Sequence, residues 1–283
     1  MIPLKDNVPT SRFAILTAIL IVINVGVFAW QFNLSGDRGS STSPPVEGLS
    51  ESDEAIIEYG AIPYRITHPG KGCGVAGAGD SGGGRSGIVC EGTARYSDAA
   101  AAGDVTDLDA PPWWVTVLTS MFMHGGILHL VGNMLFLWVF GNNVEDSMGR
   151  LRFIAFYLLA GIAAVYAQAL LDTGSTAPTI GASGAVSGVL GAYMLLHPRA
   201  RVLTLIFIIF FVTFVEIPAV IMLGIWFVLQ FLPVVGQVAL PDVVGDGGIA
   251  YLAHVGGFVF GLIAIKLFAN RRQEAGSGLS PAH

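Results

Sequence analysis

Repeated uncharged apolar runs, each close to the thickness of a bilayer, constrain this chain more than any other feature. Residues 13–30 carry no charge, and as a helix they would extend roughly 27 Å, near the hydrocarbon thickness of a membrane. Further apolar segments cover residues 127–144, 153–171, 181–196, 218–235 and 249–268. Only 12% of the residues are charged, against about 25% in an ordinary soluble domain, so lipid is the expected solvent for much of the surface. No small-residue cleavage site follows the first run, which predicts an anchor helix instead of a removed signal peptide. A basic stripe is absent, which excludes a nucleic-acid-binding surface.

Charge position sets the expected topology, because Lys and Arg favour the cytoplasmic side of short loops. Six spans with the N-terminus inside gather Lys5, Arg12, Arg150, Arg152, Arg199, Arg201, Arg271 and Arg272 in the cytoplasm. The short external loops 172–179 and 236–248 then hold neither Lys nor Arg. Segment 202–215 is the ambiguous one: its 14 residues would make a helix of only roughly 21 Å. Counting it as a seventh span would send Arg271 and Arg272 outside, so it is expected to lie on or dip into the inner interface. Residues 113–123 are separated from the next span by His124-Gly125-Gly126 and are expected to be interfacial. The resulting division is a cytoplasmic N-terminus 1–12, a first transmembrane helix 13–30, a long external loop 31–112, a membrane core 113–268 and a cytoplasmic tail 269–283. The fold class is all-α, a polytopic six-helix bundle.

The external loop is rich in Gly, Ser and Pro, and its centre at 70–87 has no apolar periodicity, which predicts mobility. Cys73 and Cys90 could pair on an oxidising face or remain two free thiols. Their spacing is not that of a metal site, and no internal repeat is present.

Strongly polar groups within spans are costly and tend to face the bundle interior. Here they fall in three places: His124, His129 and Asn133; Ser183 and Ser187; and His254. His129 and Asn133 are spaced i, i+4 and share one helix face. In the six-span topology all three groups sit towards the external ends of their helices; a seventh span would move His254 to the opposite leaflet. Gly184 with Gly188, Ser183 with Ser187 and Gly191, and Gly257 with Gly261 form small-xxx-small faces that allow close helix approach. His254, Gly257 and Gly261 are spaced i, i+3, i+7, so a helix carrying His254 could meet one carrying Ser183. Taken singly, Ser183 could be a packing residue, His254 a structural histidine, and His129 with Asn133 an interhelical hydrogen-bond pair. Their joint placement is what points to chemistry.

These residues resemble the rhomboid proteases. The resemblance rests on His124-Gly-Gly-Ile-Leu-His129-Leu-Val-Gly-Asn133, then Leu137-Trp138-Val-Phe-Gly141 with Glu145 and Gly149. Gly181-Ala-Ser-Gly184 and Ala253-His254-Val-Gly-Gly257 with Gly261 follow in order. Tyr59-Gly-Ala-Ile-Pro63 is similar to the start of that family's first external loop. The resemblance implies a six-transmembrane-helix bundle in the cell membrane that cleaves transmembrane protein substrates without a cofactor or metal. It implies Ser183 as nucleophile and His254 as general base, in a dyad with no acidic third member. It further implies His129, Asn133 and the Ser183 backbone N–H as oxyanion donors, with His124, Glu145, Gly257 and Gly261 as structural support. Two positions depart from the pattern: Ser187 stands where an aromatic often stacks on the base, and Thr116 where Arg is common. A rhomboid-like pseudoenzyme that binds transmembrane segments without cutting is the nearest rival reading. A small-solute transporter is more distant, since neither repeated halves nor paired broken helices are visible.

Overall fold

The computed structural model describes residues 1–34, 49–77, 87–208, 211–239 and 250–269. Apolar runs that must satisfy every backbone group without water become helices. Five helices among the described residues are long and apolar enough to cross a membrane. They are α1 (Ile15–Leu34), α6 (Ile127–Met148), α7 (Arg150–Leu171), α9 (Ala219–Ala239) and α10 (Tyr251–Phe268). The apolar helix α8 (Ser183–Leu196) is shorter, as is the segment Trp113–Phe122, which contains α5 (Trp113–Thr119) and a 3₁₀ turn. Leu128, Leu151 and Leu267 are 88%, 86% and 82% exposed. Such an outer surface is built to be solvated by lipid, and the chain is a mostly helical, multi-pass membrane protein.

The centre of the bundle is α8, flanked by α6, α7 and α10. Tyr157, Tyr193, Phe140, Phe153 and Phe156 are fully enclosed there. Helix α9 is peripheral and turns Ile221, Ile225, Val228 and Leu232 outward.

The all-α expectation fails in two places. Segment 202–215 is not helical: β5 (Arg201–Ile208) and β6 (Phe211–Pro218) pair antiparallel as a hairpin. The N-terminal strand β1 (Ile2–Asp6) joins this hairpin along β5. β-Branched and aromatic residues alternate here with no turn-forming glycine inside the strands, which suits a pleated surface. Val202 and Thr204 are buried while Phe207 and Phe214 are exposed, and Arg201 pairs with Glu216 at 3.7 Å near the open end. At the end of β1, the buried carboxylate of Asp6 accepts hydrogen bonds from the Tyr193 hydroxyl and from Asn143 Nδ2. Burial pushes the Asp6 carboxyl above its ordinary range.

The second departure lies in loop 31–112, which is structured over its described part. It contains α2 (Glu51–Tyr59), started by a Ser50–Asp53 capping box, then α3 (Pro63–Thr67) and α4 (Ala94–Ala101). Strands β2 (Cys73–Ala76), β3 (Gly87–Cys90) and β4 (Val105–Asp107) form a sheet in the order β3-β2-β4. Cys73 and Cys90 face each other across β2 and β3 and are joined by a disulfide. The expected mobility of 70–87 therefore does not hold at its two flanks, which are strands; residues 78–86 lie outside the described residues. So do 240–249 and 270–283, with Arg271 and Arg272.

At the bundle end opposite the disulfide, Glu145 ties α6 to α1. Its carboxylate accepts from the backbone N–H groups of Leu16 and Thr17 at 3.1 and 2.8 Å, and from the Thr17 hydroxyl at 2.8 Å. A carboxylate suits the positive end of a helix, and Glu145 is buried. Glu145→Ala is expected to destabilise the protein by about 2–3 kcal/mol, because buried donors lose a charged acceptor. Thermal unfolding in detergent would show the fall, with Glu145→Gln losing less.

Candidate active site

The N-termini of α6, α8 and α10 meet at one end of the bundle, and each brings polar residues. Ser183 opens α8. The chain reaches it through Gly181, whose φ of +111° is a conformation that favours glycine. A Cβ at Gly181 would stand 2.7 Å from the His129 ring, so only glycine allows this loop so close to α6. The loop is held from both sides. The Gly181 N–H donates to the Ser120 carbonyl at 2.8 Å, and Thr179 exchanges backbone hydrogen bonds with Ala61 at 2.8 and 3.1 Å. The segment Tyr59-Gly-Ala-Ile-Pro63 thus braces the chain leading to Ser183.

His254 lies one turn into α10, and its Nε2 stands 2.8 Å from Ser183 Oγ. Helices α8 and α10 can come this close because glycines line their contact. A Cβ at Gly257 would collide with the Gly184 carbonyl oxygen, and one at Gly261 with that of Gly188.

His129 and Asn133, one turn apart on α6, line the same cavity as Ser183 and His254; its volume is about 640 Å³. Asn133 is buried, and its Nδ2 has no hydrogen-bond partner. An orphaned buried donor calls for an explanation, and a ligand oxygen in this cavity would supply it. His124 is placed differently. It is buried behind the site, with its ring edge-on to His129 at 5.1 Å. Its backbone N–H donates to Gln31 Oε1 at 3.0 Å, and its carbonyl accepts from Gln31 Nε2 at 3.3 Å. These bonds tie α1 to the start of α6.

The two departures from the family pattern are both local. Ser187 donates to the Ser183 carbonyl at 2.6 Å, and Thr116 to the Trp113 carbonyl at 2.7 Å. No aromatic at 187 covers His254. Trp226 of α9 approaches instead, its ring 6.1 Å from the imidazole, while Gln230 Oε1 lies 2.8 Å from His254 Nδ1. Gln230 was not among the polar residues singled out in the sequence, where the resemblance implied a dyad with no third member. The signal was present: Gln230 is the one amide between residues 219 and 236, and polar groups in spans seek interior partners.

A family model described as Rhomboid domain matches residues 111–271. "Rhomboid protein 1, mitochondrial" of Saccharomyces cerevisiae is 31% identical over 153 residues, covering 53% of this chain and 40% of that protein. "Rhomboid protease GluP" of Bacillus subtilis is 44% identical over 82 residues, 29% of this chain and 15% of that protein. "RHOMBOID-like protein 5" of Arabidopsis thaliana is 35% identical over 78 residues, 28% of this chain and 25% of that protein. The chain thus spans less than half the length of these relatives. With its residues 111–271 matched, more than half of its 283, the chain belongs to the rhomboid family.

Proposed function

We propose that this protein is an intramembrane serine endopeptidase that hydrolyses peptide bonds in or near transmembrane segments, through a Ser183–His254 dyad. The observation that carries the reading is the 2.8 Å contact of His254 Nε2 with Ser183 Oγ, in a cavity that also receives the unpartnered amide of Asn133.

His254 Nε2 takes the Ser183 hydroxyl proton as Oγ attacks the scissile carbonyl carbon. The carbonyl oxygen becomes an oxyanion facing Asn133 Nδ2, the His129 ring and the Ser183 backbone N–H, which is free at the first turn of α8. The C–N bond then breaks, and the imidazolium returns its proton to the leaving amine. Water, deprotonated by His254, hydrolyses the acyl ester and releases the new carboxylate. A cavity of about 640 Å³ has room for water beside a peptide, since each water occupies about 30 Å³.

A helical peptide shields its carbonyls by hydrogen bonding, so the substrate must unwind locally. This favours transmembrane substrates with small or helix-weakening residues near the site's end of the bundle. With the short α8, which is enclosed by its neighbours, counted as the fourth of six spans, both termini lie in the cytoplasm and the active site towards the external face. The Cys73–Cys90 disulfide at that end supports the orientation, because disulfides persist in oxidising compartments.

The test is cleavage of a reconstituted single-span reporter, together with covalent labelling of Ser183 by a serine-reactive probe. Reporter cleavage with labelling is expected. A chain that neither cleaves nor labels would favour the non-cutting transmembrane-segment binder. Asn133→Ala is expected to lower kcat by about 10²–10³ with little change in KM, the usual loss for one oxyanion donor. Reporter kinetics across substrate concentration would show it.

A further inference from the structure

We propose that Gln230 is the positioning residue of the histidine base: its side-chain carbonyl accepts the Nδ1 proton of His254 and fixes the tautomer whose bare Nε2 faces Ser183. The inference rests on the Ser183–His254 reading and assigns the partner that a dyad lacks.

The geometry is direct. Gln230 Oε1 lies 2.8 Å from Nδ1 on one side of the ring, and Ser183 Oγ lies 2.8 Å from Nε2 on the other. A neutral imidazole carries one proton, on one nitrogen or the other. For Nε2 to accept from Ser183, Nδ1 must carry that proton and needs an acceptor. If Gln230 offered its NH₂ group instead, Nδ1 would be the bare nitrogen and Nε2 would point its own hydrogen at Ser183. The base would then be in the wrong tautomer. Only the carbonyl-inward orientation of Gln230 is productive.

Nothing else in the cavity competes for this task. Its described lining contains no Asp, Glu, Lys or Arg, and the other titratable groups are His129 on α6 and Tyr251 on the helix of His254 itself. Tyr251 meets the imidazole edge-on at 6.5 Å by ring centres. A carboxylate here would orient the ring equally well, but it would also need solvation inside a lipid-embedded bundle. An amide orients without charge.

Gln230 and Trp226 are one turn apart on α9, so one helix supplies both the acceptor and the ring beside the imidazole. Helix α9 also walls the cavity. The orientation of the base is therefore set by the seating of α9 against α10, and any displacement of α9 that parts these helices releases Nδ1.

The experiment uses the full chain in nanodiscs with ¹⁵N-labelled histidine, His254→Ala serving to assign the His254 signals. Gln230→Met keeps the length of the side chain and removes the strong acceptor; Gln230→Glu restores one. In wild type, above the titration of the ring, Nδ1 is expected to be protonated and Nε2 bare. In Gln230→Met the ring nitrogens should average over both tautomers, and kcat should fall by about 10- to 100-fold with KM within about twofold. Gln230→Glu should recover the single tautomer and move the acid limb of the rate profile to higher pH, because a carboxylate stabilises the imidazolium. Unchanged nitrogen shifts in folded Gln230→Met, or an unchanged kcat, would overturn the proposal. The nitrogen spectra need no cleavage, so a chain that cleaves nothing would defeat the protease reading separately.

Discussion

Ser183→Ala and His254→Ala are each expected to reduce reporter cleavage by on the order of 10⁴–10⁶, to the limit of detection in most assays. The size follows from what each group does in the proposed mechanism. Without Oγ there is no acyl-enzyme, and the remaining oxyanion donors would have to assist direct attack by water. Without the imidazole, a serine hydroxyl must lose its proton to bulk water that the bilayer largely excludes. In the proposed mechanism the two groups, 2.8 Å apart, act as one unit, so the double variant should be no slower than either single one. Initial rates with a single-span reporter would measure this, and probe labelling would report Ser183 separately from turnover. Ser183→Ala that kept more than about 1% of wild-type cleavage after purification would remove Ser183 from the chemistry.

The grouping of the candidate site residues was more legible in the sequence than the fold around them, for physical reasons. Lipid makes a polar side chain in a span expensive, so His129, Asn133, Ser183 and His254 stand out against their apolar neighbours without any structure. The glycine spacing at 184, 188, 257 and 261 likewise marks a contact face, because small residues are what allow membrane helices to touch. Gln230 is polar within a span too, but an amide between Leu229 and Phe231 carries no motif. Its partner becomes visible only when α9 is seated beside α10.

The β-hairpin was illegible because its composition is that of a transmembrane helix. Residues 202–215 are almost uniformly apolar, and a short apolar run does not by itself distinguish strand from helix. What decides the matter is non-local: β1, nearly two hundred residues earlier, pairs with β5 and offers it backbone partners. Cys73 and Cys90 present the opposite case. Their chemistry was open in the sequence, and the antiparallel register of β2 with β3 sets the two residues opposite each other.

Gly257→Ala is expected to cost far more in cleavage than its single carbon suggests. The added Cβ would overlap the Gly184 carbonyl oxygen and crowd the carbonyl carbon at 3.0 Å. Backbone atoms cannot move aside as a flexible side chain can, so α8 and α10 must part. Overpacking of this kind costs about 1–3 kcal/mol of stability, which a thermal shift in detergent would detect as several degrees. The separation falls directly between the helices that carry Ser183 and His254. A displacement of about 1 Å would stretch their hydrogen bond beyond useful length and lower kcat/KM by about 100-fold. Gly257→Val, with two further carbons, should reach about 10³ on the same argument. Gly26→Ala is the control, since a Cβ at that position on α1 meets nothing within 4 Å, and it should leave cleavage unchanged without lowering the melting temperature. Wild-type cleavage by Gly257→Ala would mean that α8 and α10 can separate freely, and that something other than their close contact aligns the serine with its base.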